Sequence, residues 1–446
     1  MQTSPTRCGS SRDQTKVRAS VSGADAGADS GRQLLSGNVV SLIAALSCGP
    51  EGSRCVLAAR DLFRRTAVAG HPKPAVSLGL VRIPALWVLL VAFGSAACGS
   101  DGGEPPSSPD RGIVVTPAPP GEPWATLDEW HLFSDAPGQK PAANVVPYDV
   151  IAPLYADDAL KHRFMHVPDG KKIKYRDEDK WVFPQGSVLV KTFSFPRDAN
   201  DQSLGERLLE TRLLILGPEG WASETYVWDD AQTVATRQTE GTTLDVSWID
   251  GTGATRQQAY GVPTTEQCTE CHGILPQTNS LGGRTRQLDR DFDYGHGSEN
   301  QIDHLNAIGW LDQAPPANER ERMVDPFGTG PLPDRARSYL DANCGHCHTS
   351  SGGATESGLL LTWGNTDPAT GTDWGICKQP IATRAEPCGL TYDIVPGSPD
   401  QSILICRVNS REKDVQMPEL GSKRVDVRGV ALLRDWVATL TPAGCP

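Results

Sequence analysis

Two pentapeptides of the form Cys-x-x-Cys-His carry the chemistry of this chain: Cys268-Thr-Glu-Cys271-His272 and Cys344-Gly-His-Cys347-His348. In each, the two thiols are spaced to form thioethers to the vinyl groups of one haem, and the adjacent imidazole is placed to ligate its iron. The expectation is two covalently bound haem c groups, attached at Cys268, Cys271, Cys344 and Cys347, with His272 and His348 as proximal iron ligands. A structural zinc site would gather the same thiols into a closed tetrahedral shell, but it gives the histidines no duty. A thioredoxin-like thiol pair also leaves them idle and needs a strand and a helix around the motif.

The second axial ligands come from elsewhere in the chain. Gln416-Met417-Pro418-Glu419-Leu420-Gly421 sets a thioether in a loop ahead of the last helix, so Met417 is the expected distal ligand of the C-terminal haem. Such His/Met ligation raises the reduction potential. For the first haem, His304 is favoured over His296 and Met323, because Ile302, Leu305 and Ile308 mark a helix around it; an empty sixth position also fits. His162, His166 and His346 have no spacing that assigns them a role.

The elements that must position these residues are of two kinds. Pro333–Asn343 has helix-start residues and Ala336, Tyr339 and Leu340 on one face, and it runs straight into Cys344. Asp426 is placed to cap a last helix whose Val430, Leu433, Val437 and Leu440 follow 3-4-3 spacing. A helix entering the haem motif and a terminal helix packed on it are class I cytochrome c architecture. Ahead of Cys268, Gly261–Gln267 leaves room for barely one helical turn.

Upstream the texture is β: Ser187–Phe195, Leu208–Leu216, Tyr226–Trp228 and Thr243–Ile249, where Leu244, Val246 and Trp248 alternate with Asp245 and Ser247. Trp181, Trp221, Trp228 and Trp248 are expected as core rather than as a carbohydrate platform. The expected fold class is multidomain, a β-rich, sandwich-like N-terminal module over 124–262 followed by a mainly α-helical class I cytochrome c-like haem region. That region divides into a first haem-binding stretch, 263–331, and a C-terminal cytochrome c-like domain, 332–446.

Residues 81–98 hold one positive charge, an apolar run too short for a membrane span, and small residues before Cys98. They are expected to be a lipoprotein-type signal peptide with Cys98 as the lipidation site, although Ser95 stands where an aliphatic residue is usual. Residues 1–80 then form a non-native or disordered leader, with the true start at Val81, and the Gly/Pro/Ser-rich stretch 99–123 is a flexible linker. The location implied is the bacterial cell envelope, periplasmic or anchored to the outer membrane, with membrane contact only through the lipid. In that oxidising compartment Cys377, Cys388, Cys406 and Cys445 form two disulfides. Proximity favours Cys377–Cys388 and Cys406–Cys445, out of the three connectivities that four cysteines allow.

The formal net charge of −12 argues against nucleic acid and anionic lipid, and suits a neutral or basic redox protein such as an envelope dehydrogenase or oxidase. With 45 Gly and 35 Pro, loops should be abundant. Asp289–Gly295 alternates carboxylates but lacks the glycine and glutamate of an EF-hand, and is expected to be a solvated turn. The chain contains no P-loop and no HExxH motif.

Taken in order, Val146-Pro-Tyr-Asp, Ala159-Leu-Lys-His-Arg-Phe, Phe183–Phe193, Glu210-Thr-Arg-Leu, Asp245-Val-Ser-Trp, both haem motifs, Ile394-Val-Pro-Gly-Ser-Pro and Met417-Pro-Glu-Leu-Gly resemble a family of exported bacterial dihaem c-type cytochromes. The resemblance covers roughly residues 124–440 and implies two covalent haems and an envelope location, without a substrate. The function expected is electron transfer, with the β module docking the partner. The alternatives are a dihaem peroxidase-like enzyme with an open N-terminal haem, and a ligand- or carbohydrate-binding surface lipoprotein.

Overall fold

The structure is a computed structural model describing residues 115–119, 121–178, 180–273, 280–367, 373–381, 387–441 and 444–446. The expected leader, the signal peptide with Cys98 and most of the linker lie outside these residues.

A short antiparallel pair, β1 (Phe133–Asp135) and β2 (Lys140–Pro141), leads into a six-stranded antiparallel sheet whose strands lie side by side in chain order. These are β3 (Val145–Tyr148), β4 (Leu160–His166), β5 (Val188–Pro196), β6 (Glu206–Gly217), β7 (Gly220–Trp228) and β8 (Ala235–Arg237). Side chains alternate between faces along each strand. One face of β5 therefore carries Val188, Val190 and Thr192, and the other carries Leu189, Lys191 and Phe193. The first face buries Phe164, Val190, Leu213 and Tyr226 under the N-terminal segment, through Leu127, Trp130, Leu132 and Phe133. Trp130 Nε1 donates to the Tyr226 hydroxyl across 2.6 Å.

The opposite face is covered in two patches. At one end Met165, Leu189 and Trp221 pack on Leu288, Ile302 and Leu305. At the other, Phe193 and Phe195 meet Val246, Trp248 and Tyr260 from the hairpin of β9 (Thr242–Ile249) and β10 (Thr255–Val262). The expected sandwich is not formed. Because the N-terminal segment covers one face, and helices with a separately hydrogen-bonded two-stranded hairpin cover the other, no apolar face remains for a second full sheet. The four tryptophans at 181, 221, 228 and 248 are all buried, as core residues.

Six helices follow: α1 (Thr265–His272), α2 (Thr285–Leu288), α3 (Gln301–Ala307), α4 (Leu332–Asn343), α5 (Ile403–Val408) and α6 (Val427–Thr439). A further small hairpin, β11 (Asp291–Asp293) and β12 (Ser298–Asn300), precedes α3. The helices expected at both ends of the C-terminal segment are present, and Asp426 caps α6 by accepting from the Gly429 amide at 2.9 Å. Even so, the mainly α-helical class I cytochrome c-like region expected over 263–446 is not what the chain forms. Among the described residues between α4 and α6 only the short α5 and single 3-10 turns interrupt irregular backbone, and α1 to α3 are one or two turns each. Gly and Pro supply turns there and no apolar 3.6-residue period is sustained, so loops held by cross-links take the place of helices.

Those cross-links are Cys377–Cys445 and Cys388–Cys406, which corrects the pairing by proximity. The chain end folds back on the loop before α5: Gly444 N donates to Pro396 O at 2.8 Å and Tyr392 Oη to Pro446 O at 2.7 Å. Cys445 is thereby carried to Cys377, and Cys406, on α5, is left facing Cys388.

Helices α4 and α6 cross at Gly429, where a Cβ would overlap the ring and hydroxyl of Tyr339. That hydroxyl donates to Asp426 Oδ2 at 3.0 Å, so the same two helices are also fastened at the cap. Gly429→Ala should force them apart and cost about 1–3 kcal/mol. A urea unfolding midpoint unchanged from wild type would show that the crossing tolerates the methyl.

Candidate functional site

The first motif lies on α1, which begins with a capping box: Thr264 Oγ1 accepts from Gln267 N at 3.1 Å, and Gln267 Oε1 accepts from Thr264 N at 3.0 Å. Residues three and four apart share a helix face, so Cys268, Cys271 and His272 point the same way. They line a cavity of about 560 Å³ whose floor is the sheet, with Lys191, Arg212 and Ser223 among its other walls. Burial pushes the Cys268 thiol up, partly opposed by the nearby Arg212 guanidinium.

The second motif continues from α4. Cys344 N donates to Leu340 O and His348 N to Cys344 O, each at 2.9 Å, which closes one more helical turn. Cys344, Cys347 and His348 line a cavity of about 1290 Å³ together with Met417 and apolar side chains that include Leu361, Trp374 and Ile394. Burial, with Asp341 adding to it, pushes the Cys344 thiol up to about 12.

His348 is held by a hydrogen bond of 3.2 Å between its Nδ1 and Ser357 Oγ. The Ser357 hydroxyl donates to Ala354 O at 2.7 Å, so its oxygen is left to accept from the imidazole. That fixes the proton on Nδ1 and leaves the Nε2 lone pair for a metal. Burial, reinforced by Arg407, pulls the ring down to about 4, so it is neutral at pH 7, as a ligating imidazole must be. Met417 is fixed through its backbone, N to Arg407 O at 2.9 Å and O to Arg411 Nη1 at 3.2 Å.

The two cavities abut. Leu154, Tyr155, Cys271, Asn343, His346 and Glu419 belong to both linings. At the shared wall the ligand atoms of Cys271, His346 and Cys347 lie within 4.8 Å of one another. Hydrogen bonds from Cys347 and His346 draw Cys271 toward the thiolate, and Cys347 is correspondingly held as the thiol. Sequence spacing had given His346 no role; its signal was its position inside the second motif.

The donor set fits a covalently attached haem at each motif. Cys268, Cys271, Cys344 and Cys347 are free, whereas Cys377, Cys388, Cys406 and Cys445 are paired. Each thiol pair opens on a cavity that also receives the following histidine. A four-thiolate zinc shell is not assembled, since Cys268 and Cys344 stand outside the Cys271–His346–Cys347 group.

His304 lies elsewhere. Its Nδ1 is 2.7 Å from Glu299 Oε1, and its ring stacks on Tyr294 with 3.7 Å between centroids. Neither His304, His296 nor Met323 lines the first cavity; Met323 is buried against Ile151 and Ala152. His296, Glu299 and His304 form the other group of potential metal ligands among the described residues. The Asp289–Gly295 run forms no such group: Asp289 pairs with Arg320 and Asn300, and the rest builds β11 and its turn.

Compared with protein-family models, with curated proteins and with solved structures, the chain matches none. The resemblance to exported dihaem cytochromes therefore rests on the motifs.

The His348 environment has a pH signature in the haem-free chain. Its folded value lies below the unfolded one of about 6.5, so its stabilising contribution is complete above that pH and is lost as pH falls through about 4. Between pH 7 and pH 4 the loss should be on the order of 3 kcal/mol. Urea unfolding of wild type and His348→Asn at the two pH values measures it; equal pH sensitivity in both would show that His348 is not the cause.

Proposed function

We propose that the chain is an exported dihaem c-type cytochrome that carries electrons in the bacterial envelope, with haem attached at Cys268/Cys271 and at Cys344/Cys347. The single observation that carries this reading is the sorting of the cysteines among the described residues: the four in the two motifs are free and line two abutting cavities with their histidines, while Cys377, Cys388, Cys406 and Cys445 are cross-linked. When bound, each haem supplies one-electron Fe(II)/Fe(III) chemistry. The protein's part is to hold His348 neutral and oriented through Ser357, to present Met417 from the loop after α5, and to bury the second site among apolar side chains. A neutral or basic redox protein of the envelope is the partner this acidic chain favours. No helix among the described residues is long and apolar enough to cross a membrane, and attachment through lipidated Cys98 remains part of the proposal.

A second reading, an enzyme that uses an open first haem as a peroxidase does, has one observation in its favour. Among the described residues, the lining of the first cavity offers, apart from His272, His346 as its only imidazole and no methionine.

Haem quantification and EPR of the oxidised, matured protein test both readings. Two low-spin haems per chain support electron transfer, and one high-spin haem supports the enzyme. Zinc in place of haem iron would overturn both and point to Cys271, His346 and Cys347 as a metal site.

The ligand assignment has its own test. Met417→Ala should open the second haem to added imidazole, raise its high-spin fraction and lower its potential. An unchanged spectrum and potential would remove Met417 from the iron.

A further inference from the structure

On the face of the sheet that looks into the first cavity, three cations stand in direct cross-strand register: Arg163 on β4 opposite Lys191 on β5, and Lys191 opposite Arg212 on β6. Like charges directly opposite one another are destabilising, so such a row needs negative charge to answer it. Two members have that answer. Arg163 Nη1 is 2.6 Å from Asp149 Oδ1, and Arg212 Nε is 2.8 Å from Oε2 of Glu210, a fully buried carboxylate.

Lys191, the middle of the row, has no direct partner, and Glu210 acts on it only at longer range. Among the described residues its ammonium takes part in no ion pair or hydrogen bond, and it lies over the Phe193 ring, 5.7 Å from the centroid. Burial, then Arg163 and Arg212, pull it down to about 7. Lys161, farther along the same face, donates to Ala159 O at 3.1 Å and likewise has no carboxylate partner among the described residues. In a chain of net charge −12, a partly buried row of cations whose middle member lacks a direct carboxylate partner is out of keeping with the surface.

All four cations line the cavity of about 560 Å³ that also holds Cys268 and His272, and Leu189, Phe193 and Leu214 flank the row. That volume is of the size that takes a small organic ligand. We propose that the Arg163–Lys191–Arg212 row binds the carboxylate of a largely apolar molecule in this cavity, with Lys191 as its direct partner. The carboxylate has two sources: a propionate of a haem attached at Cys268 and Cys271, which rests on the function proposed above, or a free small carboxylic acid, which does not.

The experiment uses the full chain matured with haem, with Lys191→Gln, Lys191→Arg and the Cys268→Ala/Cys271→Ala double variant beside wild type. Benzoate is titrated by calorimetry and both haem potentials are measured. A free-acid site gives benzoate binding to wild type, weakened tenfold or more by Lys191→Gln and largely kept by Lys191→Arg, as expected for loss of a charge-assisted hydrogen bond. A propionate site gives no binding to wild type, Lys191-dependent binding once Cys268 and Cys271 are removed, and a shift in the first haem's potential in Lys191→Gln with the second unchanged. The proposal is overturned if no protein binds benzoate in a Lys191-dependent way and Lys191→Gln leaves both potentials unmoved.

Removing an unpaired cation from between two others relieves repulsion, so Lys191→Gln should melt no lower than wild type, and Lys191→Arg carries the test should it not fold. Absence of haem from wild type would sink the proposed function while leaving the benzoate arm readable.

Discussion

The pleat of β4, β5 and β6 is the constraint on which the rest of the molecule depends. Because the side-chain period of a strand is two, each residue of Val188-Leu-Val-Lys-Thr-Phe is committed to one face by its neighbours. The register that buries Val190 beside Phe164 and Leu213 is also the register that aligns Lys191 with Arg163 and Arg212. A slip of one residue would exchange the faces, exposing a hydrophobic core to gain nothing on the other side. The N-terminal core thus fixes the cationic row, although it never touches it, by making any other alignment of the strands more costly.

The two motifs are far apart in sequence, and the second motif and the Met417 loop are tied to the stretch between β3 and β4. Asp157, just before β4, makes several of these ties. Its buried carboxylate accepts from Ser422 Oγ at 2.8 Å and from the Lys423 and Arg424 amides at 2.9 Å each. The loop that bears Met417 is thereby moored to the β-rich part of the chain. At the end of α4, Asn343 Oδ1 accepts from Tyr155 N at 2.7 Å, and Asp341 pairs with Arg284, so the second motif is tied to the same region. A carboxylate that receives backbone amides and is shielded from water is worth more than an exposed ion pair, since the donors are already fixed. Tyr155 and Asn343, joined by that bond, are part of the wall between the two cavities.

What could be read in the sequence was whatever depends on local spacing. The alternation at Leu244–Trp248, the Asp426 cap and the apolar face of α4 each lie within one or two turns of chain, and each appears in the structure as expected. The capping box at Thr264 and Gln267 was equally local and was overlooked, which is why α1 appeared to lack room for a helix. The misreadings share a different cause. Two true helices, α4 and α6, suggested a helical domain between them, but the intervening backbone is set by disulfides and turns whose partners come from a distance. Pairing Cys377 with Cys388 by proximity failed because loop closure costs little more for a long loop than a short one, so chain distance is a weak guide to connectivity. The row of Arg163, Lys191 and Arg212 was out of reach for the same reason: it exists only once the strand register is known.

The two sites differ in a way that follows from where each motif is seated. The second motif extends a long helix into a cavity lined in part by Leu361, Trp374 and Ile394, where burial holds His348 neutral and a thioether is at hand. The first rests directly on the sheet, so its cavity inherits whatever that face presents, which here is guanidinium and ammonium set among leucines. Positive charge beside a redox centre favours its reduced form, because reduction adds an electron, and the effect is strong where water is excluded. If both motifs carry haem, the cationic floor pulls the first potential upward, and so would His/Met ligation at the second. Two centres raised by different means, one by neighbouring charge and one by its axial ligand, respond differently to salt and to bound anions. An anion seated on the row would then act on the first potential and leave the second nearly untouched, which would set the β-rich part of the chain against a haem attached at the first motif.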